Sequence, residues 1–276
     1  MITTLHSLTK DAPGPATTPT GEAKLITVAS GKGGVGKTWV SATLTHALAR
    51  EGRNALLFDG DLGLANVDIQ LGLMPSVDLG AVFQGRCALE DAVIPVMSEA
   101  GRPLFHVIAG KSGSGAFASL RPDAITALKA ELAEVAFDYD GIVVDLAAGI
   151  DNNVIGLADH GGRVIVVVTP DPTSITDAYA FIKILAMRRT GARIHVVVNM
   201  ASDRTEGKRA YETLRRAAES FLKISPPLLG IIRHDRLVRD AIRHQTPFLI
   251  RHPASPAAED VIAIARKLLA ETGPKV

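Results

Sequence analysis

Residues 30–38 decide the fold, and they read Ser30-Gly31-Lys32-Gly33-Gly34-Val35-Gly36-Lys37-Thr38. The short apolar run 25–29 precedes them and the amphipathic segment 39–48 follows, so the pattern predicts a buried strand, a glycine-rich turn and a helix. This is the context of a phosphate-binding loop, where glycines let backbone N–H groups converge on an anion at a helix N-terminus. We expect Lys37 to contact the β- and γ-phosphates and the Thr38 hydroxyl to ligate Mg²⁺.

A second lysine, Lys32, lies near the start of the loop. Lys-Gly-Gly-Val-Gly-Lys-Thr resembles the deviant Walker A motif of the MinD/ParA ATPases. The resemblance implies that Lys32 reaches across a dimer interface to the partner's nucleotide and assists catalysis with Lys37. It also implies that ATP or ADP is held by Gly33, Gly34, Val35, Gly36, Lys37, Thr38 and the residue after them, Trp39.

Trp39 departs from the pattern of that family, which has a small or polar residue near the α-phosphate. Three interpretations stay open for the indole: it stacks on a base, packs in a dimer interface, or fills a gap between helix and sheet. The third requires nothing special and is favoured.

Two aspartates, Asp59 and Asp61, follow the apolar run 55–58. Carboxylates at the carboxyl end of a parallel strand lie at the same edge as the phosphate loop, where one orders magnesium water and the other orients or deprotonates the attacking water. The resemblance assigns the catalytic role to Asp61 and a place near the metal to Asp59.

A third aspartate, Asp145, ends the apolar run 141–144 in the manner of a Walker B motif, which holds Mg²⁺ through water. Gly149 permits the next segment to move with the γ-phosphate. The family's second switch carries a hydroxyl and a glycine where Leu146 and Ala147 stand here, so we expect altered γ-phosphate sensing or switch mobility.

Two residues are predicted to contact the base. Asn199 ends the strand 194–198, and its carboxamide can both donate to and accept from an adenine edge. The resemblance implies the same role for this asparagine. Arg233 stands where relatives have a proline that lines the base. Two interpretations have equal weight: the Arg233 side chain stacks on adenine, or it is simply a substituted loop residue.

Short, β-branched apolar runs alternate with helix-length segments from residue 24 onward. This order predicts a doubly wound α/β fold, a mostly parallel sheet with helices on both faces, of the P-loop NTPase type. Residues 1–23 are predicted to be a flexible tail and residues 24–276 a single ATPase domain that ends in a helix at about 257–271. We favour packing of that helix on the sheet over peripheral contact with a membrane. The predicted strands are 25–29, 55–58, 104–108, 141–144, 164–168, 194–198 and 228–232, and the main helices are 36–51, 121–136, 173–189 and 204–222.

The composition excludes few functions. The chain has 276 residues, 47% of them hydrophobic, and a formal net charge of +1. Charge is unevenly distributed, because residues 186–276 hold 17 lysines and arginines against 9 acidic residues. This basic third is a candidate face for an anionic partner, although solvated helix faces are the favoured interpretation. One cysteine, Cys87, excludes an intramolecular disulfide and a cysteine-ligated cluster.

No run of 18 apolar residues is present and the first residues lack signal-peptide features, so a cytoplasmic protein is expected, with peripheral contact at the inner membrane face or cell pole as a further option. Residues 61–68 and 172–179 resemble the FlhG/FleN flagellar-number branch of the family. That resemblance implies an ATP-dependent homodimer whose partners include a flagellar GTPase, a basal-body switch protein or a transcriptional regulator. The activator-type N-terminal segment of those relatives is not recognisable in residues 1–23.

Several alternatives stay open. A ParA-like ATPase that segregates DNA or positions cargo is supported by the basic third, although DNA is not the favoured partner, and a MinD-like division-site ATPase belongs to the same superfamily. An amidoligase or reductase that uses the same loop is a different class. A pseudo-ATPase is a further alternative, against which intact Lys37, Thr38, Asp61 and Asp145 argue.

Overall fold

The computed structural model describes residues 21–61, 65–77, 79–83, 85–98, 100–110 and 122–271. Within these residues the chain forms an eight-stranded sheet. Its strands are β1 (Leu25–Ser30), β2 (Ala55–Gly60), β3 (Val93–Met97), β4 (Pro103–Ile108), β5 (Gly141–Ala148), β6 (Arg163–Val168), β7 (Arg193–Ala201) and β8 (Leu228–Arg233).

The sheet has the order β3-β4-β2-β5-β1-β6-β7-β8. Each neighbouring pair is parallel except β3 and β4. Since β1 lies between β5 and β6, the loop after it stands at the centre of the sheet's carboxyl edge, where ligands of open α/β sheets bind. The predicted doubly wound, mostly parallel fold is confirmed.

Helices cover both faces of the sheet. They are α1 (Lys37–Arg50), α2 (Val67–Leu71), α3 (Leu79–Phe83), α4 (Pro122–Val135), α5 (Asn152–Ala158), α6 (Pro172–Arg188), α7 (Arg204–Leu222), α8 (Leu237–Arg243), α9 (Phe248–Arg251) and α10 (Pro256–Ala270).

Successive strand residues point to opposite faces, so each strand supplies two cores. In β2, Phe58 joins the core under α4 to α7, and Leu57 joins the core under α1, α9 and α10. Because both faces are buried, the strands carry no polar alternation, and this explains why their apolar runs were recognisable.

The edge strand β3 was not predicted. Its sequence, Val93-Ile94-Pro95-Val96-Met97, contains a proline and is partly exposed. It pairs antiparallel with β4 at the edge of the sheet, where a missing N–H is tolerated. The strand therefore lacks the continuous burial that marks the parallel strands.

A short turn precedes the first strand of the sheet. Gly21–Lys24 form a 3-10 helix, so regular structure begins three residues before the predicted start of the domain at residue 24. Lys24 Nζ donates to the carbonyls of Ala136 (2.8 Å) and Tyr139 (2.9 Å) and thereby ties this turn to the end of α4. Residues 1–20 and 272–276 lie outside the described residues.

The final helix, α10, is packed as predicted. Ser255 Oγ accepts the N–H of Ala258 (3.1 Å) and caps its first turn. Val261, Ile264 and Leu268 are buried in the core with α1 and β8. In the part of the chain that the structure describes, no helix is both long and apolar enough to cross a membrane.

Candidate nucleotide site

The loop between β1 and α1 has the backbone that a phosphate cradle needs. Gly34 and Gly36 have φ angles of 80° and 81°, in the left-handed region that glycine favours. A Cβ on Gly36 would lie 2.5 Å from Asn199 Nδ2, so no larger residue fits there. Asn199 Nδ2 donates to the Val35 carbonyl (2.8 Å) and holds the loop against the end of β7.

A cavity of about 710 Å³ opens above this loop, and we call it the nucleotide cavity. Its size is in the range of small-molecule and cofactor sites. The predicted site residues that line it are Lys32, Gly33, Gly34, Val35, Gly36, Lys37, Thr38, Trp39, Asp61, Asn199 and Arg233. The tertiary structure thus brings together residues from four separate parts of the sequence.

Buried charges lie directly beneath the loop. Lys37 Nζ is 3.3 Å from Asp145 Oδ1, and the two side chains are 8% and 1% exposed. Ser41 Oγ donates to the same oxygen (2.8 Å). Ser41 was missed by the sequence analysis, although it lies one helical turn after Lys37 and therefore on the same face of α1.

Asp59 lies beside Asp145, because β2 and β5 pair in a register that sets the two residues opposite each other. Its carboxylate accepts the backbone N–H groups of Asp61, Asn66 and Val67, each at 3.1 Å. Burial and then the neighbouring Asp145 raise the pKa of Asp59 to about 7, while the N–H donors act in the opposite direction. Asp59 therefore organises the segment that follows β2.

The arrangement fits a divalent cation. Asp145 Oδ2 is buried and has no hydrogen-bond partner among the described residues. A cation beside it would satisfy that oxygen and would remove the repulsion that disfavours two neighbouring carboxylates. Magnesium is commonly held by one or two carboxylates together with phosphate oxygens and water, so Thr38, Asp59 and Asp145 would hold it here.

The segment after Asp145 explains one departure from the family pattern. Leu146 is fully buried in the core, where a hydroxyl would need a partner. Ala147 and Ala148 line the nucleotide cavity, so the wall beside the loop is apolar at this point. Gly149 has a φ of 110° and donates its N–H to the Ser30 carbonyl (2.9 Å), which ties the segment to the end of β1.

Lys32 is bound within its own chain. Its Nζ lies 3.0 Å from Asp171 Oδ2 and also donates to Thr173 Oγ1. The hydrogen bond from Lys32 is the largest of several contacts that lower the pKa of Asp171. Asp171 also caps α6 by accepting the N–H of Thr173 (2.8 Å).

Arg233 forms an ion pair with the carboxylate of Asp260. Its guanidinium donates to Asp260 through Nε (2.8 Å) and Nη2 (3.0 Å), and Asp260 is buried at the start of α10. Arg204 pairs with the same carboxylate (2.8 Å). Arg233 thus forms part of the cavity wall, but its guanidinium is occupied in an ion-pair network that joins β8, α7 and α10.

The indole of Trp39 lies mostly in the core, although the residue also lines the nucleotide cavity. It is 6% exposed, and its ring meets Phe248 edge-on with centroids 5.1 Å apart. Its Nε1 is buried without a partner among the described residues. Trp39 thus packs between two helices, α1 and α9, and not in a gap between helix and sheet.

Further cavity residues were missed by the sequence analysis. Met200, directly after Asn199, lines the cavity with a φ of 59°, a conformation that is uncommon for a residue with a side chain. Val238, Arg239 and Ile242 of α8 close the far side. The spacing of four between Val238 and Ile242 is a usable signal, but the segment is too short to stand out without the fold.

The strand, loop and helix geometry, the buried lysine and the carboxylates define a P-loop nucleotide-binding domain. Residues 26–248 match the family described as the CobQ/CobB/MinD/ParA nucleotide binding domain. The chain belongs to this family.

Relatives agree with this assignment. The chain is 38% identical to the antiactivator FleN of Pseudomonas aeruginosa over 89% of this chain and 86% of that protein. The cell division ATPase MinD of Pyrococcus furiosus superposes with a TM-score of 0.75 at 25% identity, covering 90% of this chain and 99% of that one. MinD of Pyrococcus horikoshii, solved in complex with Mg-ADP, gives a TM-score of 0.72 at 26% identity, covering 92% and 99%.

Proposed function

We propose that this protein is a slow, partner-regulated, magnesium-dependent ATPase that dimerises when ATP is bound and separates after hydrolysis. The observation that carries the proposal is the set of groups under the loop. Lys37 and Asp145 form a buried ion pair, and Asp145 Oδ2 has no hydrogen-bond partner among the described residues. Asp61 lines the cavity beside them. Mg-ADP in the Pyrococcus horikoshii relative supports ATP and Mg²⁺ as the ligands.

Each group has a defined task in this proposal. Lys37 and the loop N–H groups balance the charge of the phosphates. Magnesium, when bound, would neutralise charge on the phosphate oxygens, with Thr38, Asp59 and Asp145 around it. Asp61 orients the attacking water, and its own backbone is held by the hydrogen bond to Asp59. Asn199 supports the loop and contacts the base through its remaining polar atom.

The exposure of the loop supports the dimerisation step of the proposal. Gly33 and Gly34 are exposed, and Lys32 is held by Asp171 and Thr173 at the rim of the cavity. In the proposal, ATP draws Lys32 away from Asp171, and the lysine then contacts the nucleotide of a second subunit. An exposed ion pair of this type contributes little to stability, so the exchange costs little.

The biological output we propose is control of flagellar number or placement, exerted through a flagellar or transcriptional partner. Similarity to FleN supports this output. The structural similarity to MinD supports a second candidate, control of the division site.

The central experiment compares wild type with Asp61→Ala. We expect ATP turnover to fall about a hundredfold or more, since Asp61 positions the water. ATP-dependent dimer mass, measured by light scattering, should be retained because the phosphate loop is intact. Asp123→Ala, an exposed change at the start of α4, is the matched control and should alter neither quantity.

Two outcomes would contradict the proposal: undiminished hydrolysis by Asp61→Ala, or a wild-type protein that stays monomeric with ATP. The same variant, placed in the chromosome, separates the two candidate outputs. An altered number of flagella with normally placed septa supports flagellar control. Misplaced septa with normal flagella would support the division-site candidate instead.

A further inference from the structure

A second cavity, of about 550 Å³, lies at the opposite edge of the sheet, where β6, β7 and β8 begin. We call it the arginine cavity. Its charged and titratable side chains come from β6, from β7 and from the residues that directly follow α6 and α10. They are Arg163, Arg189, Arg193, His195 and Glu271. None of these residues takes part in the nucleotide cavity.

Arg163 is the unusual member of this group. It is only 6% exposed, and its guanidinium makes no hydrogen bond to any described residue. A guanidinium remains protonated under physiological conditions, and buried charges in proteins are almost always paired. The Arg163 guanidinium therefore lines the cavity with Glu271 as an acidic neighbour but without a direct partner among the described residues, and an anion that enters the cavity can pair with it.

The other two arginines of the cavity are bound to other groups and add positive charge near Arg163. Arg189 pairs with Asp159 (3.4 Å), and Arg193 donates to the Gly161 carbonyl (2.6 Å). Burial and then the positive charge of Arg193 lower the pKa of Arg163, with Glu271 opposing them. The Glu271 carboxylate is hydrogen-bonded to His195 Nε2 (3.1 Å) instead. Of the three guanidinium groups, only that of Arg189 has a carboxylate as its direct partner among the described residues.

We propose that the arginine cavity binds a small phosphate-bearing molecule, whose oxygens pair with the Arg163 guanidinium. A guanidinium and a phosphate match in geometry and form paired, charge-assisted hydrogen bonds. Ile194, Ile224 and Pro226 form an apolar part of the wall that suits the uncharged part of such a ligand. The volume lies in the range of small-molecule sites. This proposal does not depend on the function of the nucleotide cavity.

The direct test is calorimetric titration with sodium phosphate, with sodium chloride at matched ionic strength as the blank. The protein is first saturated with Mg²⁺ and AMPPNP, checked by its own titration, so that the phosphate loop is filled. We expect wild type to bind phosphate and Arg163→Met to bind it about tenfold to a hundredfold more weakly, as for the loss of hydrogen bonds to a charged group. The matched control is Arg209→Met, an exposed arginine of α7, which should bind as wild type does.

A second measurement needs no nucleotide. In phosphate-free buffer the thermal midpoint of Arg163→Met should lie above that of wild type, because the variant removes an uncompensated buried charge. Added phosphate should raise the midpoints of wild type and Arg209→Met by more than that of Arg163→Met, even if phosphate also binds at the loop.

Three results would overturn the proposal. The first is equal phosphate binding by wild type and Arg163→Met, or none by wild type. The second is a lowered midpoint of Arg163→Met without phosphate, which would reveal a favourable partner already in place. The third is phosphate binding that appears only in a chain ending at Glu271, which would make the residues after Glu271 the occupant.

Discussion

The two edges of the sheet treat buried charge in opposite ways. At the carboxyl edge, the buried Lys37 ammonium lies 3.3 Å from Asp145, which Ser41 also contacts. At the amino edge, Arg163 is as deeply buried but has no hydrogen-bond partner among the described residues. Breaking a buried pair is costly because it leaves an uncompensated charge, whereas a buried charge without a direct partner is free to pair with an added anion. The contrast also applies within the nucleotide cavity, where Asp145 Oδ2 is the unsatisfied atom.

The largest effect is expected from breaking the pair at the carboxyl edge. Lys37→Met leaves Asp145 and Asp59 adjacent and buried without their cation, and should lower the free energy of unfolding by about 3 kcal/mol or more. Urea unfolding in nucleotide-free buffer measures this change. Arg163→Met at the amino edge is the paired control and should shift stability the other way. A shift of both variants in the same direction would refute the contrast between the edges.

A comparable effect is expected from pH at the amino edge, where His160 is buried. Its Nδ1 accepts the N–H of Gly162 (2.9 Å), so Nε2 carries the proton toward Thr27 Oγ1 (2.6 Å). Burial, followed by the positive charge of Lys129, lowers the pKa of His160 to about 4. Between that value and the ordinary pKa of histidine, the unfolded chain binds more protons than the native one, so stability is lost as the pH falls through this window.

The loss assignable to His160 amounts to about 3 kcal/mol between pH 6.5 and pH 4. In His160→Gln, the free energy of unfolding should fall less steeply over this range, as measured by urea titration at a series of pH values. His234→Gln, at an exposed histidine, serves as the control and should keep the wild-type slope. An unchanged slope in His160→Gln would show that the buried imidazole is not responsible.

The smallest effect on stability is expected from removing a single asparagine hydrogen bond, which can be compared at the two edges of the sheet. Asn199 Nδ2 donates to the Val35 carbonyl and Asn54 Nδ2 donates to the Asp138 carbonyl, each at 2.8 Å. The first bond is buried and the second is exposed. Asn199→Ala should therefore cost about 1 to 2 kcal/mol, because it leaves the Val35 carbonyl buried and unpaired, and Asn54→Ala should cost less.

Nucleotide titration extends this comparison. Asn199→Ala should weaken AMPPNP binding, since the loop loses its support, whereas Asn54→Ala should leave binding unchanged. Equal costs in stability for the two variants, or equal affinities for AMPPNP, would show that burial of the bond is not what matters.

The fold was predictable to the extent that its signals are local. Parallel strands buried on both faces produce continuous apolar runs, and the observed α1, α4, α6 and α7 begin and end within one residue of the predicted helices. The edge strand β3 escaped because one exposed side and Pro95 remove that signal. The extra turn at Gly21–Lys24 escaped because it is stabilised by contacts with α4 that lie more than one hundred residues away in sequence.

Several residues of the nucleotide site were also predictable from the sequence, because the glycines, Lys37 and Asp145 belong to recognisable motifs. Packing decided the rest, because partners distant in the chain determine what a side chain can reach. Trp39 packs against Phe248 of α9, and Arg233 forms an ion pair with Asp260 of α10. The environment of Arg163 has no sequence signature at all, since only the assembled edge of the sheet shows that this guanidinium is buried and lines a cavity.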